Sequence, residues 1–236
     1  IKKNNITLLV TATANAVAVA EHVISMFLSL SKSLSKYDKE VRDGNFKDNS
    51  KKIETFEIFN KNILIAGFGR IGKKLISRCL AFNSKVYVYD PYVDEKTIKE
   101  NGGIKVTSIN EGLKIADYVS LHMPLTKETK DLINYSILKQ MKKNAIIVNT
   151  ARGGIINEID LDRALNENLI FGAGLDVFEK EPVNLNNPLL NNKKVILSPH
   201  SATFTNECKS RMGIETTKNI IDFFENKIDK SMIVKL

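Results

Sequence analysis

Apolar residues along the chain form two kinds of pattern: short continuous runs, and stretches in which they recur every three or four residues. The runs predict buried strands, and the recurring stretches predict helices with one apolar face. Strands are predicted at residues 5–10, 63–66, 85–89, 104–106, 117–121, 145–149, 171–177 and 194–198. Helices are predicted at residues 15–43, directly after Gly72, and at residues 109–115, 135–141, 158–166 and 203–226. Strands that alternate with helices predict an α/β fold with a parallel, doubly wound sheet, whose ligands bind beyond the carboxyl ends of the strands.

The strand at residues 63–66 runs directly into three glycines, Gly67, Gly69 and Gly72, which have the spacing Gly-x-Gly-x-x-Gly. In this motif the first glycine allows a tight turn, the second lets phosphates approach the backbone, and the third lets helix and strand pack closely. The free N–H groups and the positive end of the following helix suit the pyrophosphate of a dinucleotide. The motif alone is weak, because three glycines can have this spacing in any turn.

A carboxylate at the end of the next strand strengthens the dinucleotide interpretation. Asp90 follows the strand at residues 85–89, about 20 residues beyond the glycines, where an acidic residue accepts hydrogen bonds from the ribose hydroxyls of adenosine. The carboxylate also repels a 2′-phosphate, and neither Pro91 nor Tyr92 carries a positive charge to accept one. The sequence therefore predicts NAD rather than NADP as cofactor. The alternative is that Asp90-Pro91 only forms a turn.

Composition and charge restrict the remaining possibilities. The chain has 236 residues, of which 43% are hydrophobic, enough for one large α/β domain or two small ones. Its net charge of +8 comes from scattered lysines, which are typical of a solvated surface and not of a nucleic-acid site. Cys79 and Cys208 are far apart and lack metal-ligand spacing, so we expect a reducing compartment, no disulfide and no metal.

The first 20 residues superficially resemble a signal peptide. Polar residues at Thr11, Thr13 and Asn15 interrupt the apolar run, and helical periodicity continues past the supposed cleavage site, so this interpretation is rejected. We expect a globular, soluble, cytoplasmic protein that binds no membrane. Because the sequence begins at Ile1 without an initiator methionine, we also expect it to be part of a longer or processed protein.

Polar residues with catalytic potential follow the later strands. Arg152, Asp176, Glu181 and His200 all come at or after predicted strand ends. A histidine exchanges protons in both directions near neutral pH, a neighbouring carboxylate holds its ring, and an arginine grips a carboxylate or carbonyl oxygen. Taken singly, each has a structural alternative: a hydrogen-bonded histidine, an arginine in a turn, or surface glutamate. His122 also follows a strand and competes with His200, whereas His22, within a helix, is interpreted as a packing or interface residue.

Several motifs occur together between about Thr11 and Phe224. They are Ala20-Glu21-His22, residues 41–45, residues 67–72, residues 121–126, residues 149–154, residues 175–178 with Glu181-Pro182, and Pro199-His200. In combination they closely resemble the D-isomer-specific 2-hydroxyacid dehydrogenases, the family of D-3-phosphoglycerate dehydrogenase. The resemblance implies a Rossmann dinucleotide-binding domain.

The resemblance also implies roles for individual residues. Arg152 would bind the substrate and polarise its carbonyl, His200 would be the catalytic histidine, and Glu181 its partner, which favours His200 over His122. The residues implied as cofactor contacts are Gly67, Gly69, Arg70, Ile71, Gly72, Asp90, Met123, Thr150, Ala151, Asp176 and His200.

The implied activity is an NAD-dependent oxidoreductase that transfers a hydride between the nicotinamide and a small D-2-hydroxy acid or 2-keto acid, 3-phosphoglycerate being one candidate. The alternative is an NAD(H)-sensing or co-repressor-like protein of the same fold without turnover, and a third hypothesis is a domain fragment that binds NAD without substrate. The implied partners are the small acid and a second copy of the chain, with the helix at 15–43 as dimerisation element.

The implied domain organisation has three parts. Residues 1–10 are a remnant of the substrate domain or its crossover, residues 11–212 form the NAD-binding domain including helix 15–43, and residues 213–236 form a C-terminal helix returning toward the substrate domain. Relatives carry roughly a hundred further residues ahead of Ile1, the size of a domain, so the substrate domain is expected to be largely absent from this chain.

Overall fold

The computed structural model describes residues 6–11, 13–46 and 53–234. Within these ranges, seven parallel strands form one sheet in the order β3-β2-β1-β4-β5-β6-β7. The strands are β1 (Asn62–Ala66), β2 (Lys85–Tyr89), β3 (Ile104–Lys105), β4 (Tyr118–Leu121), β5 (Ile146–Asn149), β6 (Gly172–Leu175) and β7 (Val195–Leu197). The predicted parallel, doubly wound sheet is confirmed. The strand order reverses between β1 and β4, the point at which such sheets bind ligands.

The helices of the described ranges are α1 (Ala16–Ser31), α2 (Leu34–Arg42), α3 (Arg70–Ala81), α4 (Glu95–Glu100), α5 (Ile109–Ile115), α6 (Tyr135–Leu138), α7 (Glu158–Asn166) and α8 (Asn206–Phe224). Short 3₁₀ turns lie at Pro188–Asn191 and Lys230–Met232. Asn157 caps α7, since its side chain accepts a hydrogen bond from the Asp160 N–H.

Alternate side chains of each strand enter two separate cores, one on each face of the sheet. Ile63 and Ile65 of β1 pack with α1, α3 and α4 on one face. Leu64 and Ala66 pack with α5, α6 and α7 on the other. Because both faces are covered, the central strands are continuously apolar, which is why they were recognisable as short hydrophobic runs.

The single helix predicted at residues 15–43 is wrong, because the structure has two helices, α1 and α2, bent by 57° relative to each other. The break lies at Ser33, which adopts a left-handed backbone conformation with φ 49°. Its hydroxyl donates to the Glu54 carbonyl, and the Phe56 N–H donates to the Ser31 carbonyl, so the following segment satisfies the end of α1. No helix in the described ranges is long and apolar enough to span a membrane by itself. The helices α1 and α2 together have the length and composition of a membrane span, but the 57° bend lies between them.

The first described residues of the chain pair with its last described residues. Residue 5 of the predicted strand 5–10 lies outside the described ranges, and in the rest only Leu9 forms a bridge, antiparallel to Ile233. The Val10 N–H donates to Met232, and the Asn219 side chain of α8 donates to the Val10 carbonyl. The strand prediction is therefore wrong beyond this single bridge. The helix α8 runs continuously across residues 212 and 213, where the sequence predicts the boundary between the NAD-binding domain and the C-terminal helix.

Candidate functional site

The glycine loop connects β1 to α3 by close backbone contact. Gly67 has φ +102°, and a Cβ there would lie 2.8 Å from the carbonyl carbon and oxygen of His122. A Cβ on Gly72 would lie 2.4 Å from the Gly67 carbonyl oxygen. Gly69, in contrast, is exposed and a Cβ would meet nothing within 4 Å. The start of α3, where no side chain caps the helix, therefore lies open to an anionic ligand.

Asp90 lies at the end of β2 and holds the glycine loop. Its Oδ2 accepts a hydrogen bond from the Phe68 N–H at 2.8 Å, and its Oδ1 accepts one from the Tyr92 N–H at 2.9 Å. Each carboxylate oxygen keeps a second lone pair, so the group can still accept hydrogen bonds from ligand hydroxyls. The structure thus places Asp90 beside the glycine loop.

A cleft of about 320 Å³ lies beyond the carboxyl ends of β4, β5 and β6, next to the glycine loop. The predicted site residues that line it are Ile71, Met123, Thr150, Ala151, Arg152, Asp176 and His200. His122, the competing candidate histidine, also lines it, as do residues that the sequence does not indicate as site residues: Asn15, Val19, Pro124, Ala202 and Thr203. The remaining predicted residues, Gly67, Gly69, Arg70, Gly72, Asp90 and Glu181, are not among its lining residues.

A histidine and a glutamate form a pair at this cleft. The Nδ1 of His200 lies 2.8 Å from Oε2 of Glu181, and both side chains are partly exposed. Burial opposes ionisation of Glu181, but the hydrogen bond from His200, that from the Phe178 N–H and the charges of His200 and Arg152 outweigh it and hold the Glu181 pKa below its usual value. Glu181 is therefore ionised at neutral pH, and the Nε2 atom of His200 is not engaged by this pair.

The loop that carries Arg152 and the loop that carries Glu181 meet at the backbone of Phe178. The Phe178 N–H donates to Glu181 Oε1 at 3.0 Å. On the other loop, a Cβ on Gly153 would lie 1.8 Å from the Phe178 carbonyl oxygen, so only glycine allows this approach. The side chain of Asn149 fixes the turn before Arg152, accepting from the Ala151 N–H and donating to the Arg152 carbonyl. These contacts set the arginine beside the histidine–glutamate pair.

Asp176 anchors the loop that carries His200. Its carboxylate is 1% exposed and accepts hydrogen bonds from the Ser198 hydroxyl at 2.5 Å, the Ser201 N–H at 2.8 Å and the Ala202 N–H at 3.0 Å. The Ser198 oxygen also lies 2.9 Å from Nε2 of His22 on α1. The sequence indicates His22 only as a packing or interface residue and gives no role for the Ser198 side chain.

A signal for His22 was nevertheless present in the sequence. Asn15, Val19 and His22 are spaced by four and three residues, so they share one face of the helix. The first two line the cleft. Recognising any one of them as a cleft residue would have placed His22 near it.

His122 lies in a different environment from His200. Its Nε2 lies 2.8 Å from the Ser120 hydroxyl, and burial lowers the pKa of its imidazole to about 4. Among the described residues no carboxylate pairs with it, and its Nδ1 has no hydrogen-bond partner although the atom is buried. A histidine that is neutral at pH 7 and unpaired is poorly suited to deliver a proton, so the geometry favours His200 for that task.

The lowered pKa of His122 predicts a pH dependence of stability. An unfolded histidine has a pKa of about 6.5, so between about pH 6.5 and 4 the unfolded chain binds a proton at this position that the folded chain does not. The free energy of unfolding should therefore fall as the pH falls through this window, by up to about 3 kcal/mol from His122 alone. Urea denaturation at several pH values should show a shallower fall for His122→Gln than for the unsubstituted chain. Equal pH dependences would contradict the assignment.

These features fit a dinucleotide. The uncapped start of α3 suits a pyrophosphate, and Asp90 lies beside it to accept ribose hydroxyls. In the ranges the structure describes, two buried side-chain atoms lack any hydrogen-bond partner, Nδ1 of His122 and Oγ1 of Thr150. Both residues line the cleft, where a bound ligand with polar groups would satisfy them.

Comparisons with known proteins agree with this geometry. A family model described as "D-isomer specific 2-hydroxyacid dehydrogenase, NAD binding domain" matches residues 24–202. D-3-phosphoglycerate dehydrogenase of Methanocaldococcus jannaschii is 34% identical over 93% of this chain and 41% of its own length. Glyoxylate reductase of Pyrococcus furiosus is 37% identical over 92% of this chain and 66% of its own length. The chain thus spans about two fifths to two thirds of these curated relatives.

A similar solved structure is D-lactate dehydrogenase from Aquifex aeolicus, complexed with NAD and lactic acid. It has a TM-score of 0.87 and 32% sequence identity, and the match covers 99% of this chain and 74% of that one. The described fold is therefore shared over nearly the whole length of the chain.

Proposed function

The chain belongs to the D-isomer specific 2-hydroxyacid dehydrogenase family and carries its NAD-binding domain. We propose on this basis that it functions as an NAD-dependent oxidoreductase acting on a small D-2-hydroxy acid and its 2-keto acid. The observation that carries the proposal is the 2.8 Å contact between His200 and Glu181 at the cleft that Arg152 also lines. A proton-exchanging pair and a fixed cation beside a cofactor site are what such a reaction requires.

The residues that would hold NAD are those of the glycine loop, Asp90 and the cleft. The open start of α3 receives the pyrophosphate, and Asp90 receives the adenosine ribose. The negative charge of Asp90 also disfavours NADP, which carries a phosphate at that ribose. When bound, NAD supplies the hydride acceptor for oxidation of the hydroxy acid, and its reduced form supplies the hydride donor for the reverse reaction.

His200 moves the proton that must accompany the hydride. Its Nδ1–H donates to Glu181, which leaves Nε2 to give a proton to the carbonyl oxygen in reduction and to take it back in oxidation. The ionised carboxylate orients the ring and stabilises the positive charge that the ring carries when both nitrogens are protonated.

Arg152 binds the acid. One guanidinium nitrogen donates to the Ala151 carbonyl at 2.6 Å, which fixes the side chain while other N–H groups stay available. A planar guanidinium can bind a carboxylate or a carbonyl oxygen through two parallel hydrogen bonds. This charge would both orient the 2-keto acid and polarise its carbonyl.

The names of the relatives support a 2-keto acid as substrate but do not identify which 2-keto acid it is. One curated relative is a D-3-phosphoglycerate dehydrogenase and another a glyoxylate reductase. We include 3-phosphoglycerate among the candidate substrates on this basis. A cytoplasmic location, supported by the free buried thiols of Cys79 and Cys208, and a homodimer also belong to the proposal. For the homodimer, the support is α2, which buries no residue and exposes Leu34 and Val41.

The test is NADH oxidation, followed by absorbance, with a panel of 2-keto acids that includes glyoxylate, pyruvate and the phosphorylated 2-keto acid derived from 3-phosphoglycerate. We expect turnover with at least one member, and weaker use of NADPH. Calorimetric titration with NADH runs in parallel on the same preparation. Tight NADH binding with no turnover of any member would contradict the enzyme proposal for this chain and leave two alternatives, the NAD(H)-sensing protein and the domain fragment that binds NAD without substrate.

A further inference from the structure

A chain of side chains connects the buried helix α1 to the loop that carries His200. It begins at His22, continues through the Ser198 hydroxyl at 2.9 Å, and ends at the Asp176 carboxylate at 2.5 Å. We propose that His22 is a positioning residue for His200, which it holds in place through Ser198 and Asp176. The proposal rests on the proposed function for its catalytic meaning, but its structural content can be tested without turnover.

The direction of each hydrogen bond in this chain follows from the chemistry of the groups. The Asp176 carboxylate receives three donors, two of them backbone N–H groups, and therefore acts only as an acceptor. The single proton of the Ser198 hydroxyl is thus donated to Asp176, and the Ser198 oxygen is an acceptor toward His22. It follows that Nε2 of His22 carries a proton and donates it to Ser198.

The loop around His200 needs such anchoring because of its backbone conformation. His200 has φ 52°, in the left-handed region, which is strained for a non-glycine residue. The donors to Asp176 are Ser198, Ser201 and Ala202, which flank His200 on both sides. Two of these three donor groups are backbone N–H groups, and the third is the Ser198 hydroxyl, which His22 contacts.

The helix α1 provides a rigid base for this contact. Its apolar face is buried in the core between the sheet and α3, and the ion pair between Glu21 and Arg78 at 2.8 Å joins it to α3. The same helix contributes Asn15 and Val19 to the cleft. His22 therefore sets the position of the His200 loop relative to the wall of the cleft.

If His22 only packed, replacing it would alter stability and leave His200 unchanged. If it positions His200, the environment of the His200 ring must change as well. The chain contains three histidines, so a spectrum of histidine ring nitrogens has few signals and is easily assigned with His200→Ala and His122→Gln.

The experiment records histidine ring nitrogen spectra on the full ¹⁵N-labelled chain. The unsubstituted chain should show His22 with its proton on Nε2. In His22→Leu, which has no donor, the His200 ring signals should shift, and kcat should fall roughly tenfold to a hundredfold while NADH affinity stays within about twofold. In His22→Gln, which keeps a nitrogen donor at similar reach, both should return toward the original values. Ser29→Ala, two turns further along α1 and outside the cleft, is the matched control and should leave the His200 signals in place.

Ser198→Ala breaks the same connection without altering α1 and replaces His22→Leu if that variant does not fold. Unchanged His200 signals in a folded His22→Leu or Ser198→Ala variant would overturn the proposal, as would a folded His22→Gln that behaves like His22→Leu. If the unsubstituted chain turns over no 2-keto acid, the expected change in kcat cannot be measured and the proposed function is contradicted. The His200 ring signals then decide by themselves whether His22 positions His200.

Discussion

Replacing His200 with alanine is expected to lower kcat by about two to four orders of magnitude, the usual contribution of a general acid–base group. The imidazole is the group that Glu181 holds at 2.8 Å beside the cleft, and His122, neutral and without a carboxylate partner, cannot take over its task. The affinity for NADH should change much less, because the glycine loop, Asp90 and the start of α3 are proposed to hold the pyrophosphate and the ribose, and His200 is one of thirteen residues that line the cleft. Steady-state NADH oxidation and calorimetric titration on the same preparation measure the two effects separately.

The control for this substitution is Glu207→Gln, an exposed position in the first turn of α8, which should keep the original turnover. Turnover by His200→Ala equal to that of the unsubstituted protein would show that another group exchanges the proton. A large loss of NADH affinity in His200→Ala would instead show that the histidine serves binding.

Replacing Gly72 with alanine is expected to damage both folding and cofactor binding. The new Cβ would lie 2.4 Å from the Gly67 carbonyl oxygen, a backbone atom that cannot move aside without distorting the loop. Overpacking of this kind destabilises proteins by about 1–3 kcal/mol. Because the distorted loop no longer presents its N–H groups correctly, the Kd for NADH should rise roughly tenfold or more. Denaturant unfolding and calorimetry measure the two quantities.

Gly69→Ala is the matched variant that separates the two effects. A Cβ at this position meets nothing within 4 Å, so the free energy of unfolding should stay within about 0.5 kcal/mol. The Cβ would nevertheless project into the space proposed for the pyrophosphate, so NADH binding should weaken. Gly213→Ala, in open space on α8, should bind NADH normally and gain up to about 1 kcal/mol in stability. Normal NADH binding by Gly69→Ala would contradict the role assigned to the loop.

Features that depend on neighbouring residues were predictable from the sequence. The glycine loop, the sheet type and the ends of β1, β2, β4 and β5 follow from spacing and from continuous apolar runs, and the structure agrees with them. The strands predicted at 104–106, 171–177 and 194–198 end one or two residues earlier than predicted. The break at Ser33 was not predictable, because neither glycine nor proline occurs there and the apolar periodicity continues through Leu34 and Val41. The helix α4 was missed because it has six residues, of which Ile98 alone is buried.

Contacts between distant parts of the chain were beyond sequence reasoning. His22 and Ser198 are 176 positions apart, and no periodicity connects them. The resemblance implies that Asp176 contacts the cofactor; the structure places Asp176 at the cleft and also shows its carboxylate accepting three hydrogen bonds from its own chain. The identities of the residues were visible in the sequence, but their mutual support required the fold.

The backbone of Phe178 has a consequence for how this site can change. Its carbonyl lies against Gly153, next to Arg152, and its N–H binds Glu181, which in turn holds His200. A shift of this one residue would therefore displace the arginine, the glutamate and the histidine together. Substitutions around it will not combine additively. A redesign of substrate preference that begins at Arg152 must accordingly vary Arg152, Glu181 and His200 together.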